Sequence, residues 1–384
     1  MTPGTGRAGT QWAIGCDRMK SSVKVSILAL ALALTICASF PGACADSIGQ
    51  PAPLHRFSAA FYDVFDTEIT LIGYAPSQEV FDRAFDKTAD IFRRYHRLFD
   101  AYHEYDGVMN LCALNRLAPN GPVTVSDELY DFIEWCVALQ RSHPGSPVNI
   151  AMGSVLSVWH EYREEGVAAP ENAKVPDMEL LKEAATHTDI DDLILDSQKH
   201  TVFYNERELS LDFGAVAKGY TAQLAAEYLL SSEMPSFILN AGGNVCAGQP
   251  PADGRTVWGV GIQDPDMAQM GGGLFDVLYL ANKSVVTSGD YQRYYIVDGV
   301  RYSHLISPET LMPGNRFRAV TVVADDSGLC DYLSTYLFLS TLEDGKALID
   351  SMEGVEAYWI LPDRGIEMTE GMKQYAGSAG VTGK

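Results

Sequence analysis

Asp212 and Lys218 stand six residues apart in Leu211-Asp212-Phe213-Gly214-Ala215-Val216-Ala217-Lys218-Gly219-Tyr220. Leu209 and Leu211 read as a short apolar strand closed by the acid. Small residues then form an elbow, and residues 220–230 read as a helix. A strand that turns through Gly and Ala into a helix leaves backbone N–H and C=O groups unpaired at one point. That point suits phosphate on the N–H side and a cation on the C=O side. With a carboxylate and an ammonium added, the chemistry is that of a nucleotide diphosphate with a metal. Taken alone, the segment reads as well as a strand–helix turn whose Asp and Lys face solvent.

Three further clusters carry chemistry. Leu239-Asn240-Ala241-Gly242-Gly243-Asn244 is a strand ending in a Gly pair, either a ligand's close approach to backbone or an ordinary tight turn. Thr287-Ser288-Gly289 leads through Arg293 and the hairpin turn Asp298-Gly299 to His304, so that His304 folds back toward Ser288 and Gly289. A lone strand histidine is commonly structural; beside a Gly loop and a metal site it is a general base. Asp331 and Thr335 stand at i and i+4 on one helix face, two hard oxygen donors suited to Mg2+, or else a helix-terminal acid with an incidental Thr.

The elements that must position these residues follow from periodicity. Residues 57–74 alternate as an antiparallel hairpin, and 77–99 and 126–142 show helical spacing opened by Ser77 and Ser126. A helical turn is expected at 108–116, and a polar surface excursion at 160–185 with a helix near 178–185. Strands are expected at 192–195, 201–204, 236–240, 258–262, 275–280, 284–287, 294–297, 301–306 and 320–324, with a helix over 331–339. Antiparallel strands with long helices between them argue an α+β fold rather than a doubly wound parallel sheet.

The 384 residues are 47% hydrophobic, ample for a packed core. From Met19, a basic stretch, an apolar run at 25–40 and Ala43-Cys44-Ala45 spell a secretory leader, which places the start at Met19 and the working protein outside the cytoplasm. Cleavage after Ala45 and lipid attachment at Cys44 are both open. Residues 46–56 read as a lead-in, 57–365 as the functional domain and 366–384 as a flexible tail. Four of the 28 basic and one of the 50 acidic residues fall in the first 45, so the remainder carries a net −25. Such a surface repels nucleic acid and anionic lipid. Any anionic substrate must therefore be held by local features. Cys112, Cys136, Cys246 and Cys330 have no paired spacing and read as small buried hydrophobes, with one disulfide open.

In order and spacing the four clusters resemble the ApbE family of FAD:protein FMN transferases, over most of residues 57–365. Asp212 to Tyr220 resembles D-[LF]-G-[GA]-x-A-K-G-[YF], and Asn240 to Asn244 resembles N-x-G-G-[ND]. Ser288-Gly289 through His304-Leu305-Ile306-Ser307-Pro308 resembles S-G…H-I-[IL]-D-P, and Asp331 to Thr335 resembles D-A-L-A-T. The resemblance implies a T-fold-like mixed architecture of largely antiparallel sheets with packed helices. It implies Mg2+ on Asp331, Thr335 and the Ala215 carbonyl, and FAD as substrate in contact with Asp212, Lys218 and Leu305. Phe65, Tyr102 and Pro147-Val148-Asn149 would be further flavin contacts. It implies phosphoryl transfer in which Asp331 acts through the metal and His304 accepts the proton of a Thr or Ser hydroxyl on an exported redox protein. The alternatives are an FAD pyrophosphatase giving FMN and AMP, and a non-catalytic FAD-binding protein. The sequence departs from the pattern at Asp66, Asn149, Ser307 and Leu311, where the family has Gly, Asp, Asp and Gly.

Overall fold

The computed structural model describes residues 53–267 and 272–383; the leader, the start at Met19 and Cys44 lie outside them. The strands β1 (His55–Val64) and β2 (Thr67–Ala75) form the expected hairpin, so the lead-in ends two residues earlier than its composition suggests. The helix α1 (Gln78–Phe99) follows, capped by Ser77, whose hydroxyl accepts from the Val80 N–H. Beyond it come α2 (Leu111–Leu117), β3 (Val123–Thr124) and α3 (Asp127–Ser142), the last capped by Ser126. The helices α4 (Gly153–Ala168) and α5 (Met178–Ala185) are followed by β4 (Leu193–Asp196) and β5 (Thr201–Tyr204). Then come α6 (Ala217–Ser231), β6 (Phe237–Ala241), β7 (Asn244–Ala247), β8 (Trp258–Gln263), β9 (Leu274–Leu280) and β10 (Lys283–Gly289). The chain ends through β11 (Tyr294–Val297), β12 (Val300–Ser303), β13 (Ala319–Ala324), α7 (Ser327–Leu339), α8 (Leu342–Asp350), β14 (Glu356–Ile360) and β15 (Ile366–Met368).

One eight-stranded sheet, in the order β1-β2-β6-β7-β10-β13-β14-β15, is antiparallel at every pairing. The fold is α+β. Along β13 the side chains alternate between two cores. Val320, Val322 and Ala324 face the core shared with α7, which contributes Cys330, Leu333 and Leu337. Ala319 and Val323 face a second core with Trp258, Val260, Leu278 and Leu280 of the β8–β9 ribbon. Both faces are covered, so all six residues of β13 are buried.

The tail expectation fails here. Residues 366–368 pair with β14, and Met372 and Ala376 are fully buried against the second core. A few apolar residues among Gly and Ser are too sparse to read as structure, yet they close that layer. The strand expected before Asp212 is also absent: residues 209–213 form no strand, with only a parallel bridge from Ser210 to Met152. Conversely α4, α8, β7 and β14 were not anticipated. Cys112, Cys136, Cys246 and Cys330 are all free thiols. Among the described residues no helix is long and apolar enough to cross a membrane.

Candidate active site

The segment carrying Asp212 is held by backbone on one side, where the Asp212 N–H donates to the Ile150 carbonyl at 2.8 Å and the Gly153 N–H to the Ser210 carbonyl at 2.9 Å, and by a side chain on the other. The Asn115 amide donates to the Leu211 carbonyl and accepts from the Leu211 N–H, at 2.9 and 3.0 Å, doing in one residue what a neighbouring strand would do. Asp212 Oδ1 then accepts from the Gly214 N–H at 2.7 Å, which shapes the elbow, and Oδ2 receives the Tyr102 hydroxyl at 3.3 Å. The turn feeds α6, whose N-terminus has no side-chain cap of its own. Its third N–H, from Gly219, instead donates to Asp331 Oδ2 at 2.7 Å. A Cβ on Gly219 would collide with Asp331 Cβ and the Ser327 carbonyl, so this glycine is what lets α6 and α7 approach. That contact brings the first and fourth clusters together.

Asp331 and Thr335 are 5% and 7% exposed, on an α7 that is buried nearly all round. Ser288, from β10, lies against the same face: its hydroxyl is 2.8 Å from Ser334 Oγ and 3.3 Å from Thr335 Oγ1. Lys218 Nζ donates to Asn244 Oδ1 at 3.2 Å, while Asn244 Nδ2 is buried with no partner. The Gly242–Gly243 pair is a hairpin turn between β6 and β7, both residues at positive φ (57° and 96°), with Gly242 against Thr67. Its contribution is to aim Asn244 at Lys218. Burial lowers Lys218 and raises Asp331, the Lys218–Asp331 attraction and the Gly219 N–H opposing it.

These groups fit a hard cation that brings phosphate oxygens with it. Asp331 keeps one carboxylate oxygen beyond its Gly219 bond, Thr335 adds a hydroxyl, and the unpartnered Asn244 amide is a donor for an incoming oxygen. Among the described residues no three His, Cys, Asp or Glu side chains gather to hold a metal, so a cation at Asp331 would take its other ligands from Thr335, backbone and substrate. Mg2+ binds in that manner.

His304 follows the β11–β12 hairpin, whose turn at Asp298 and Gly299 (φ 50° and 80°) forms as expected. The second strand stops at Ser303, short of 306, leaving His304 in the loop beyond it. Its N–H and its Nδ1 lie 3.0 and 3.1 Å from the Arg293 carbonyl. A carbonyl only accepts, so Nδ1 carries the proton and Nε2 holds a free lone pair. Burial, then the Arg293 and Lys218 charges, depress the imidazolium to about 3. The ring is neutral at pH 7.

Arg293, just before the β11–β12 hairpin, is a site residue that the motif spacing does not single out. Its Nη2 donates to the Phe65 carbonyl at 2.6 Å, and Asp66 is 3.8 Å away. Phe65 and Asp66 form the β1–β2 turn with φ of 52° and 49°, which explains why Gly would suit position 66 and why Asp is tolerated. The Phe65 N–H reaches His96 Nδ1 at 3.3 Å, so both of its backbone groups are tied down. Arg163, on the unanticipated α4, also bears on Tyr102, Arg293 and His304 through its charge. Among the described residues Lys218 has no carboxylate within ion-pairing distance, and Arg163 has only its neighbour Glu164. In a chain of net charge −22, Lys218, Arg293 and Arg163 gather here, faced by Asp331, Asp66 and Glu164. The gathering suits an anion.

Other expected residues make packing or structural contacts. Val148 and Leu305 turn their side chains into the main core, and Pro147 is half-buried. Asn149 Oδ1 accepts from the Ala151 N–H and its Nδ2 donates to the Thr188 carbonyl, so the amide works as a structural clip. Ser307 does for its turn what an Asp would, accepting from the Glu309 and Thr310 N–H groups at 3.3 and 3.5 Å. A surface cleft of about 690 Å³ along α1 is lined by Arg93, Arg94, Arg97 and Met109 and includes none of these site residues.

The sequence model of the ApbE family matches residues 65–359. The chain belongs to the ApbE family. The FAD:protein FMN transferase of Treponema pallidum (strain Nichols) is 33% identical over 275 residues, covering 68% of this chain and 73% of that protein. The enzyme of the same name from Klebsiella pneumoniae (strain 342) is 30% identical over 278 residues, covering 72% and 81%. The ApbE protein of Thermotoga maritima superposes with a TM-score of 0.72 at 27% identity, covering 84% of this chain and 99% of that one. The flavin transferase ApbE of Vibrio cholerae shares the fold, with a TM-score of 0.69 at 21% identity, covering 84% and 100%.

Proposed function

We propose that this ApbE-family chain cleaves FAD and attaches FMN by a phosphoester bond to a Thr or Ser hydroxyl of a second protein, releasing AMP. One observation carries the reading: Lys218, Arg293 and Arg163 converge on His304 beside the buried oxygen pair Asp331 and Thr335, which suits a diphosphate with its cation. The names of the relatives support the same substrate.

Each residue then has a task. Lys218 and the two arginines hold the phosphates against water. Asp331, Thr335 and the Ala215 carbonyl would hold Mg2+, which when bound neutralises charge on the phosphate oxygens. The acceptor hydroxyl oxygen forms the new bond to the FMN phosphorus as the bond to the AMP oxygen breaks. Its proton passes to His304 Nε2, the nitrogen left free by the Arg293 carbonyl. The leader pattern at residues 19–45 supports an exported enzyme and an exported redox protein as acceptor.

Incubation with FAD, Mg2+ and a Thr-bearing acceptor peptide tests the reading. AMP together with an FMN-bearing peptide is expected. AMP without the adduct would instead make the chain a pyrophosphatase, and tightly retained FAD with no AMP a binding protein.

A further inference from the structure

Tyr102 is 45% exposed on the loop after α1, and one face of its ring is covered. The covering group is His160 of α4, with ring centroids 4.0 Å apart and planes 18° from parallel. Neither ring is free to swing. The Tyr102 N–H is fixed by Asp100 Oδ1 at 2.8 Å, and its hydroxyl donates to Asp212. His160 Nδ1 accepts from Arg163 Nη2 at 2.9 Å. A guanidinium only donates, so Nδ1 is the bare nitrogen and the proton sits on Nε2. The helix beneath is itself anchored: Trp159 Nε1 donates to the Leu311 carbonyl at 2.9 Å, and Gly166 lies against the Tyr295 ring. A rigid helix therefore backs a ring carried by a loop and leaves the ring's other face open.

We propose that His160, fixed by Arg163, is a positioning residue that sets the plane of Tyr102 as a stacking platform for the flavin ring. The inference rests on FAD being the substrate. Planar rings gain from offset stacking only when the platform is already oriented, and a loop tyrosine alone would lose that gain to its own freedom. The elbow that runs from Asp212 to Lys218 begins where the Tyr102 hydroxyl ends, so a ligand stacked on the open face lies alongside it.

The test uses the full chain with EDTA present, so that binding is read without turnover. FAD, FMN and ADP are titrated, with quenching of flavin fluorescence as the stacking signal. His160→Ala is expected to weaken FAD and FMN by about 3- to 10-fold, the worth of one aromatic contact, with part of the quench lost and ADP affinity unchanged. His160→Phe should restore both flavin affinity and quench. In a Tyr102→Ala background, His160→Ala should have no further effect. The proposal is overturned if His160→Ala binds flavin as wild type does, if ADP weakens as much as FAD, or if the two substitutions add. Failure of the wild-type chain to bind FAD would overturn the proposed function and this inference together; normal FAD binding with an indifferent His160 would overturn this inference alone.

Discussion

At the scale of single residues, the Arg293 carbonyl decides which nitrogen of His304 is the base, and burial, reinforced by the surrounding cations, keeps that base free at neutral pH. The same burial makes a prediction about stability. The ring titrates at 6.5 when unfolded and near 3 when folded, so between these values the unfolded chain binds more protons. Stability therefore rises with pH across that window and falls as the solution is acidified below about 6.5. Denaturant midpoints at pH 5 and pH 7 should differ in that direction, and His304→Gln should flatten the difference. The residues legible in sequence were those set in motifs: Asp212, Lys218, Asp331, Thr335 and His304 all converge. Arg163 and His160 were not legible, because a cation and a ring on a helix with no apolar stripe carry no spacing signal. Arg293 could have been found, since it precedes the hairpin that returns His304 to its side.

At the scale of elements, the site is the crossing of α6 and α7 plus three turns at positive φ, at Phe65–Asp66, Gly242–Gly243 and Asp298–Gly299. Leu311 takes φ 58° where a glycine would be unstrained, yet its side chain is 8% exposed among Met152, Trp159 and Ile306. Left-handed backbone costs a non-glycine residue about 1–2 kcal/mol, whereas deleting a buried leucine side chain costs about 2–5 kcal/mol. Packing wins. Leu311→Gly is expected to destabilise the protein by about 1–3 kcal/mol in urea titrations, even though it restores the family's residue. Gly219→Ala should cost a similar ~1–3 kcal/mol through overpacking at the helix crossing, and it should disturb Asp331 as well. Helices with Ser caps and amphipathic faces, α1 and α3, were readable to within a residue or two. The helix α4 was not: it has no side-chain cap, only Gly153, Val155, Trp159 and Gly166 are buried, and its polar run resembled a surface loop.

At the scale of the whole molecule, a sheet covered on both faces gives the site its rigidity, and the C-terminal residues are part of that cover. Removing 364–384 strips β15, Met372 and Ala376 from the second core; Met372 alone should cost about 2 kcal/mol, and the thermal midpoint should fall accordingly. The fold class was legible because antiparallel strands alternate in sequence; the tail was not, because its two anchoring side chains stand isolated among small residues. In the proposed function this acidic chain gathers cations and oxygen donors to move FMN from FAD to a protein hydroxyl. Mass spectrometry of an exported FMN-accepting protein, coexpressed with wild type or with Asp331→Asn, tests it most directly. Asparagine can still accept from the Gly219 N–H, so the fold should stand while the charge is lost. One FMN per acceptor is expected with wild type, and at least a ~100-fold loss with the variant. An acceptor left unmodified by wild type, or modified equally by both, would contradict it.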